Sequence, residues 1–190
     1  LEALRVPVDM IVGTSAGSFV AGQKAESAMF AVRSIRDEIR DRGQAHSVSV
    51  LACDSVLADE ALARQFGMAA GTRLFHSRLL HRADGEPLQL EDRYVNPELA
   101  AEYLGLDFSA ETPHEYLMRV APLERAEHAV EAEAADRPLA RTLSLTEGEP
   151  VLVLSRRTWS RGQVASVARL IHPASRYRLI GSFEVGALAS

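Results

Sequence analysis

The sequence predicts an α+β fold in which helices pack on a largely antiparallel sheet. Segments with the two-residue alternation of β-strands outnumber segments with helical periodicity, and tight turns join most of the strands. A chain of 190 residues with 47% hydrophobic and 25% charged residues has the composition of a folded domain. The same composition argues against a disordered, collagenous or coiled-coil protein.

The first helix is predicted over residues 25–42, where apolar side chains recur every three or four positions. Ser27 is the expected cap near its start, and Gly43 is the expected stop. The apolar stripe of this amphipathic segment consists of Ala28, Val32, Ile35 and Ile39.

A strand and a shorter helix are predicted next. Residues 46–54 alternate between apolar and polar side chains, which is typical of a strand. Residues 59–66 are predicted to be helical, because Asp59 can cap the N-terminus and Gly67 can end the helix.

A hairpin is the clearest local feature of the sequence. Two alternating segments, residues 72–82 and 87–95, are joined by Ala-Asp-Gly-Glu at residues 83–86. Asp-Gly between two such segments is a strong hairpin signal, so we expect these strands to pair in antiparallel orientation.

Two further helices are predicted over residues 97–104 and 112–120. In the second helix Thr112 is the expected cap, Pro113 occupies the first turn and Glu115 completes a capping box.

The C-terminal part of the chain is predicted to be mostly strand. Arg161 and Gly162 provide a second hairpin turn between two of these strands. The predicted strands cover residues 123–134, 151–160, 163–172 and 177–185.

Charge and cysteine content restrict the function classes. The chain has 21 Lys and Arg against 26 Asp and Glu, a net charge of −5, so no domain-wide basic field favours DNA. The single cysteine, Cys53, excludes an intrachain disulfide and any site built on several thiolates. No apolar run is long enough to span a bilayer and no secretion leader is recognisable. We therefore expect a soluble cytoplasmic protein with no membrane partner.

The histidines do not form a metal-binding motif. None of them pairs with a second ligand at the spacing that zinc sites use, so no metal is expected. The six histidines are His46, His76, His81, His114, His128 and His172.

A Gly-x-Ser-x-Gly motif occurs at residues 13–17, after a short apolar run, and would make Ser15 a candidate nucleophile. Residues 4–17 resemble the nucleophile segment of patatin-like acyl hydrolases. The sequence shows no glycine-rich oxyanion loop, and its single Asp-Gly pair is already explained by the hairpin turn. A glycine-rich loop with an incidental serine is therefore the preferred interpretation.

One face of the predicted hairpin carries His81, Glu91 and Arg93. Two interpretations remain open from the pattern alone. The face is either a solvated outer surface with exposed ion pairs, or the floor of a pocket that orients a small polar ligand.

A much longer part of the chain matches a second family. The matching segments are the Arg-Gly pair at 42–43, the Phe-Gly-x-x-x-Gly spacing within 62–71, residues 83–87 with Glu91 and Tyr94, and residues 112–117, 156–159 and 176–177. Together they resemble the UTRA domain, an effector-binding module of GntR-type repressors with a chorismate-lyase-like fold. We expect residues 24–185 to form this domain, and residues 1–23 to be a leader that includes a remnant of a winged helix.

The resemblance implies a ligand site. Residues 76–78, 81, 89–97 and 121–128 are most similar to HutC-type repressors of histidine utilisation. Relatives that sense sugar phosphates carry an Arg-x-Arg pair where this chain has Leu79 and His81, and loss of arginine weakens phosphate recognition. The candidate ligand-binding residues are Arg78, His81, Glu91, Arg93, Thr112, His114, Ser166 and His172.

The function implied by the resemblance is that of a sensor without catalytic activity. Histidines at three of the positions suit urocanate or a related small carboxylate, which the N-terminus of the helix at Thr112 would attract. The resemblance implies a homodimer with no cofactor that contacts DNA only through a winged helix outside this chain. A chorismate-lyase-like enzyme and, less favoured, a serine acyl hydrolase acting through Ser15 are the alternatives.

Overall fold

A computed structural model describes residues 25–28 and 32–180, and a six-stranded sheet lies at the centre of this part. The order in the sheet is β2-β3-β4-β7-β6-β5, and each neighbouring pair is antiparallel. A separate two-stranded sheet pairs β1 with β8 in parallel. The strands are β1 (Ala25–Ala28), β2 (His46–Leu57), β3 (Arg73–Ala83), β4 (Glu86–Val95), β5 (Arg125–Ala134), β6 (Pro150–Ser160), β7 (Gln163–Pro173) and β8 (Tyr177–Ile180).

Short helices pack on both faces of the central sheet. Asp59 caps α2 by accepting a hydrogen bond from the backbone of Leu62, and Gly67 ends that helix with a φ of 68°. The helices are α1 (Ile35–Asp41), α2 (Glu60–Phe66), α3 (Pro113–Val120) and α4 (Arg137–Leu143), with a 3-10 turn at Tyr103–Gly105.

Both predicted hairpins are confirmed. Asp84 and Gly85 join β3 to β4 with positive φ at both positions, 50° and 84°, which a type I′ turn requires. The Asp84 carboxylate accepts a hydrogen bond from the Ala45 backbone at 2.8 Å and so fixes the turn on the preceding segment. Arg161 and Gly162 join β6 to β7 with φ values of 52° and 71°.

Two predicted helices are wrong. Residues 25–42 do not form one helix, because Ala25–Ala28 pairs with β8 and helical structure begins only at Ile35, with Ser34 rather than Ser27 at the N-cap. Residues 97–104 form turns that end in the 3-10 segment, and the Asn96 side chain accepts a hydrogen bond from the Glu98 backbone at their start. The helix α4 was not predicted.

The core is divided between the two faces of the sheet. On one face α4 covers an apolar cluster of Leu80, Leu90, Val151, Val153 and Ile171. On the opposite face, called the site face below, Leu79 and Val95 pack with residues of the 3-10 turn and α3, including Tyr103 and Leu117. Strands β4, β6 and β7 extend this face into a buried polar region, where the candidate site lies.

Candidate functional site

Strand register places His81, Glu91 and Arg93 on the site face. Glu91 lies between Leu79 of β3 and Leu170 of β7, and Arg93 occupies the same face two residues further on. The exposed fractions of His81, Glu91 and Arg93 are 0%, 4% and 3%. This burial excludes the interpretation of a solvated outer face with exposed ion pairs.

A chain of polar contacts runs through these buried residues. Arg93 Nε donates to Glu91 Oε1 at 2.6 Å, and Arg93 Nη1 donates to Ser166 Oγ at 2.9 Å. On the other side, His81 Nε2 lies 3.4 Å from Glu91 Oε2, and His81 Nδ1 lies 3.0 Å from His46 Nε2. Burial alone raises the pKa of Glu91, but the positive charge of Arg93 and the contact with His81 outweigh it and hold that pKa well below its ordinary value. Glu91 is therefore a carboxylate at neutral pH.

A narrow pocket opens above this polar chain, between the site face and helices α1 and α3. Its free volume is about 20 Å³, enough for about one water molecule. The polar groups in its wall are Arg33, Glu38, Gln89, Glu91, Arg93, Thr112, His114, Arg156, His172 and Tyr177.

Arg156 brings a second guanidinium to the pocket from β6. It lies opposite Ala168 in the sheet, as Arg93 does from the other side. Its Nε donates to His128 Nε2 at 2.9 Å. Burial and, after it, the charge of Arg93 lower the pKa of Arg156 to about 10, so it remains charged at neutral pH. An anion in the pocket would relieve the repulsion between these two cations.

His172 is fixed in the wall of the pocket. Its Nδ1 lies 3.2 Å from the carbonyl oxygen of Leu88, and its ring stacks on Tyr177 with centroids 3.7 Å apart and planes 12° from parallel. Burial lowers the pKa of His172 to about 3, so the ring is neutral. The Tyr177 hydroxyl donates to Glu38 Oε2 at 3.2 Å, which connects this part of the wall to α1.

Thr112 is the N-cap of α3, and His114 lies in the first turn of that helix. Thr112 Oγ1 accepts from the Glu115 backbone at 3.3 Å, and Glu115 Oε2 accepts from the Thr112 backbone at 2.7 Å, so the predicted capping box is confirmed. Ser34, at the N-cap of α1, contacts the same hydroxyl at 3.2 Å. His114 is half-buried, and burial lowers its pKa to about 4.

A second small cavity adjoins the pocket. Arg93, His114 and Arg156 line both cavities and so separate them. The remainder of the second wall is mostly apolar, with Ser166 and Thr158 as hydroxyl groups, and its free volume is also about 20 Å³.

The structure brings together most of the predicted ligand-binding residues. Glu91, Arg93, Thr112, His114 and His172 line the pocket. Ser166 lines the adjoining cavity. His81 does not line the pocket, but its Nε2 contacts the carboxylate of Glu91, which does.

Arg78 lines neither the pocket nor the adjoining cavity. Side chains alternate along β3, so Arg78 projects from the face opposite His81, where its Nε lies 3.8 Å from Asp92 Oδ2. The prediction did not include five polar residues of the pocket wall, which are Arg33, Glu38, Gln89, Arg156 and Tyr177. Alternation along β6 could have indicated Arg156, because Arg156 and Thr158 share one face; Glu38 gave no such signal.

Other kinds of site find little support. Within residues 25–28 and 32–180, no three or more His, Cys, Asp or Glu side chains are grouped so that they could hold a metal ion. No helix in the described part of the chain is long and apolar enough to cross a membrane. Ser15 and its glycine motif, and the predicted wing remnant, lie outside the described residues.

Comparison with known proteins shows the family. Residues 41–178 match the UTRA domain. The histidine utilization repressor of Pseudomonas putida is 47% identical over 168 residues, which cover 88% of this chain and 68% of that protein. The corresponding protein of Klebsiella aerogenes is 44% identical over 167 residues, covering 88% of this chain and 69% of the relative.

Solved structures agree with these matches. The C-terminal domain of the histidine utilization repressor from Pseudomonas syringae pv. tomato is 42% identical, with a TM-score of 0.71, and the match covers 74% of this chain and all of that one. The effector domain of PhnF from Mycobacterium smegmatis shares the fold at 17% identity, with a TM-score of 0.76 and coverage of 84% of this chain and 99% of that one.

These relatives also decide between sensor and enzyme. The matched proteins are transcriptional repressors, so the chorismate-lyase-like and acyl-hydrolase alternatives are wrong and the chain is not an enzyme. The α+β fold with an antiparallel sheet is confirmed. The chain belongs to the UTRA domain family, as an effector-binding domain of the GntR/HutC type similar to the histidine utilization repressors.

Proposed function

We propose that this chain senses urocanate, or a closely related small carboxylate with an imidazole ring, for a repressor of histidine utilisation genes. The observation that carries the proposal is the charge of the pocket wall. Arg93 is ion-paired with Glu91 and Arg33 with Asp41, whereas Arg156 has no carboxylate within ion-pair distance among the described residues. A ligand with one negative charge would supply the missing partner of Arg156.

The position of the excess charge favours a carboxylate. Glu91 pairs closely with Arg93, whereas Arg156 donates through Nε to the imidazole of His128 rather than to a carboxylate. A carboxylate can accept two parallel hydrogen bonds from one guanidinium group. Leu79 and His81 replace the arginine pair that the resemblance assigns to phosphate-sensing relatives, so a singly charged group suits this pocket better than a phosphate.

The small free volume of the pocket implies that ligand binding changes the conformation of the domain. Space for about one water molecule is too little for an imidazole with a carboxylate side chain, so α1, α3 or the side chains between the two cavities must move on binding. A ligand shifts an equilibrium only if it binds one state better than the other. We infer that the bound state has a wider pocket, and that this difference weakens operator binding by a homodimer whose DNA contacts come from a winged-helix domain.

Isothermal titration calorimetry tests the proposal directly. Urocanate should bind the wild-type protein, and glucosamine-6-phosphate should give no heat of binding. Arg156→Gln should weaken urocanate binding about tenfold to a hundredfold, the usual cost of a charge-assisted hydrogen bond. Arg64→Gln is the matched control, because Arg64 is exposed on α2 and does not line the pocket. Absence of urocanate binding to the wild type would overturn the proposal.

The dimer is tested separately. Sedimentation velocity at micromolar concentration should give the mass of two chains, with and without urocanate. A monomer under both conditions would contradict the homodimer while leaving the ligand assignment intact.

A further inference from the structure

The buried ring nitrogen Nε2 of His172, in the pocket wall, has no hydrogen-bond partner among the described residues. His172 is 1% exposed, and its Nε2 contacts no hydrogen-bonding group among the described residues. A buried polar atom without a partner is costly, so such atoms are rare in folded proteins. His172 lines the pocket, so a ligand bound there can supply the partner.

The hydrogen bond made by Nδ1 of His172 determines whether Nε2 is a donor or an acceptor. Leu88 contributes a carbonyl oxygen, which only accepts, so Nδ1 must carry the ring proton and donate it at 3.2 Å. The ring is neutral because burial keeps its second proton off. Nε2 is therefore a lone-pair acceptor, and it requires a donor from the ligand.

The acceptor is held in one orientation. The stack on Tyr177 and the bond to Leu88 restrain the ring plane, and Tyr177 is itself bonded to Glu38 of α1. Turning the ring over would remove the bond to Leu88. A preorganised acceptor of this kind discriminates strongly, because a ligand without the donor leaves the buried atom unpaired.

We propose that His172 is a specificity residue whose Nε2 accepts a hydrogen bond from a ring N–H of the effector. This inference rests on the proposed function and narrows it: the pocket selects heterocyclic carboxylates that carry an N–H donor. Arg156 and Arg93 would hold the carboxylate end of the same molecule, since both lie on the site face on either side of Ala168.

The test compares two ligands of equal shape. Urocanate and 3-(3-furyl)acrylate have the same carboxylate and a five-membered ring of similar size, but the furan has no N–H. By calorimetry the wild type should bind urocanate at least tenfold more tightly than the furan. In His172→Phe, which keeps an aromatic ring against Tyr177, the ratio should fall to about one. His76→Phe is the matched control, because His76 lies on the opposite face and stacks on Tyr94 in a similar manner.

Each outcome has a distinct meaning. Equal binding of both ligands to the wild type, or an unchanged ratio in His172→Phe, overturns the role of His172 but leaves the proposed function standing. No binding of urocanate to the wild type overturns both. If His172→Phe does not fold, ¹⁵N NMR of the wild type decides: the Nε2 resonance of His172 should shift on addition of urocanate but not of the furan, and an unchanged resonance overturns the inference.

Discussion

Arg93 Nε donates to Glu91 Oε1 at 2.6 Å, although the two residues stand only two positions apart on β4 and both are buried. The pair lies at the floor of the pocket and links His81 on one side to Ser166 on the other. A buried ion pair contributes little net stability over an apolar pair, but loss of one partner leaves an uncompensated charge. Each member therefore holds the other in place for a ligand.

Glu91→Gln should destabilise the domain strongly, because Arg93 would remain charged and buried. We expect the free energy of unfolding to fall by about 3–5 kcal/mol, the cost typical of breaking a buried pair. Urea denaturation monitored by circular dichroism measures it. Glu60→Gln is the control, because Glu60 pairs with Arg64 on the exposed face of α2 and should change stability by less than about 1 kcal/mol. A loss for Glu91→Gln no larger than the control would contradict this account.

The buried histidines make the domain sensitive to mild acid. The pKa of His172 is lowered to about 3 and that of His114 to about 4, chiefly by burial, against about 6.5 for an unfolded chain. The unfolded chain therefore binds more protons below pH 6.5. The stability from neutral histidines is fully present above about pH 6.5, and is lost as the pH falls towards the folded-state pKa values.

Urea unfolding at several pH values between 6.5 and 5 should show this loss. The free energy of unfolding should decrease with falling pH, by at most about 1.4 kcal/mol per pH unit for each such histidine. His172→Phe should make the slope shallower. His76→Phe should not change it, because the hydrogen bond to Asp92 raises the pKa of His76 and places its effect above pH 6.5. Equal slopes in the wild type and His172→Phe would show that His172 is not buried as a neutral ring.

The sequence predicted those elements whose signals are local. Asp84-Gly85 specifies its own turn, and Thr112 with Glu115 specifies the start of α3, because all the atoms involved lie within a few residues. The predicted helix over 25–42 failed because Ala25–Ala28 pairs with a strand about 150 residues away, which no local pattern reveals. For α4 a local signal existed in the cap Asp136, followed by Pro138 in the first turn.

The site residues also divide into those that local sequence patterns indicate and those that only long-range structure brings into the site. Alternation placed His81, Glu91 and Arg93 on one face, and resemblance to a family added Thr112, His114, Ser166 and His172. Arg78, also predicted, does not line the pocket, in agreement with the alternation along β3. Alternation along β6 gives the face on which Arg156 lies, but its position near Arg93 follows from the sheet order, in which β6 and β4 both pair with β7.

Thr112 is expected to stabilise the domain through its capping role. Thr112→Ala removes the acceptor for the Glu115 backbone and the contact with Ser34, and should cost about 0.5–2 kcal/mol of stability. Thr112→Ser keeps the hydroxyl and should recover most of the loss. Thermal and urea unfolding of both variants measure the difference, and equal stability of the alanine and serine variants would exclude a capping role.

Arg36 connects α1 to the segment before α3 and to α3 itself. Its Nη1 donates to the Ala110 carbonyl at 2.7 Å, its Nη2 donates to the Ser109 carbonyl at 3.1 Å, and Nη1 also lies 3.4 Å from Glu115 of α3. Because Ile35 and Glu38 of the same helix line the pocket, these bonds hold one wall in place. We expect Arg36→Met to open α1 locally while the central sheet remains folded.

Hydrogen exchange measures this opening. In Arg36→Met, the protection of amides in α1 should fall by about tenfold to a hundredfold, matching the loss of charge-assisted hydrogen bonds, whereas protection in β4 and β7 should not change. Arg40→Met is the matched control, because Arg40 is exposed on the same helix. If movement of α1 admits the ligand, Arg36→Met should also bind urocanate faster than the wild type in stopped-flow measurements. Unchanged protection of α1 would show that other contacts hold this helix.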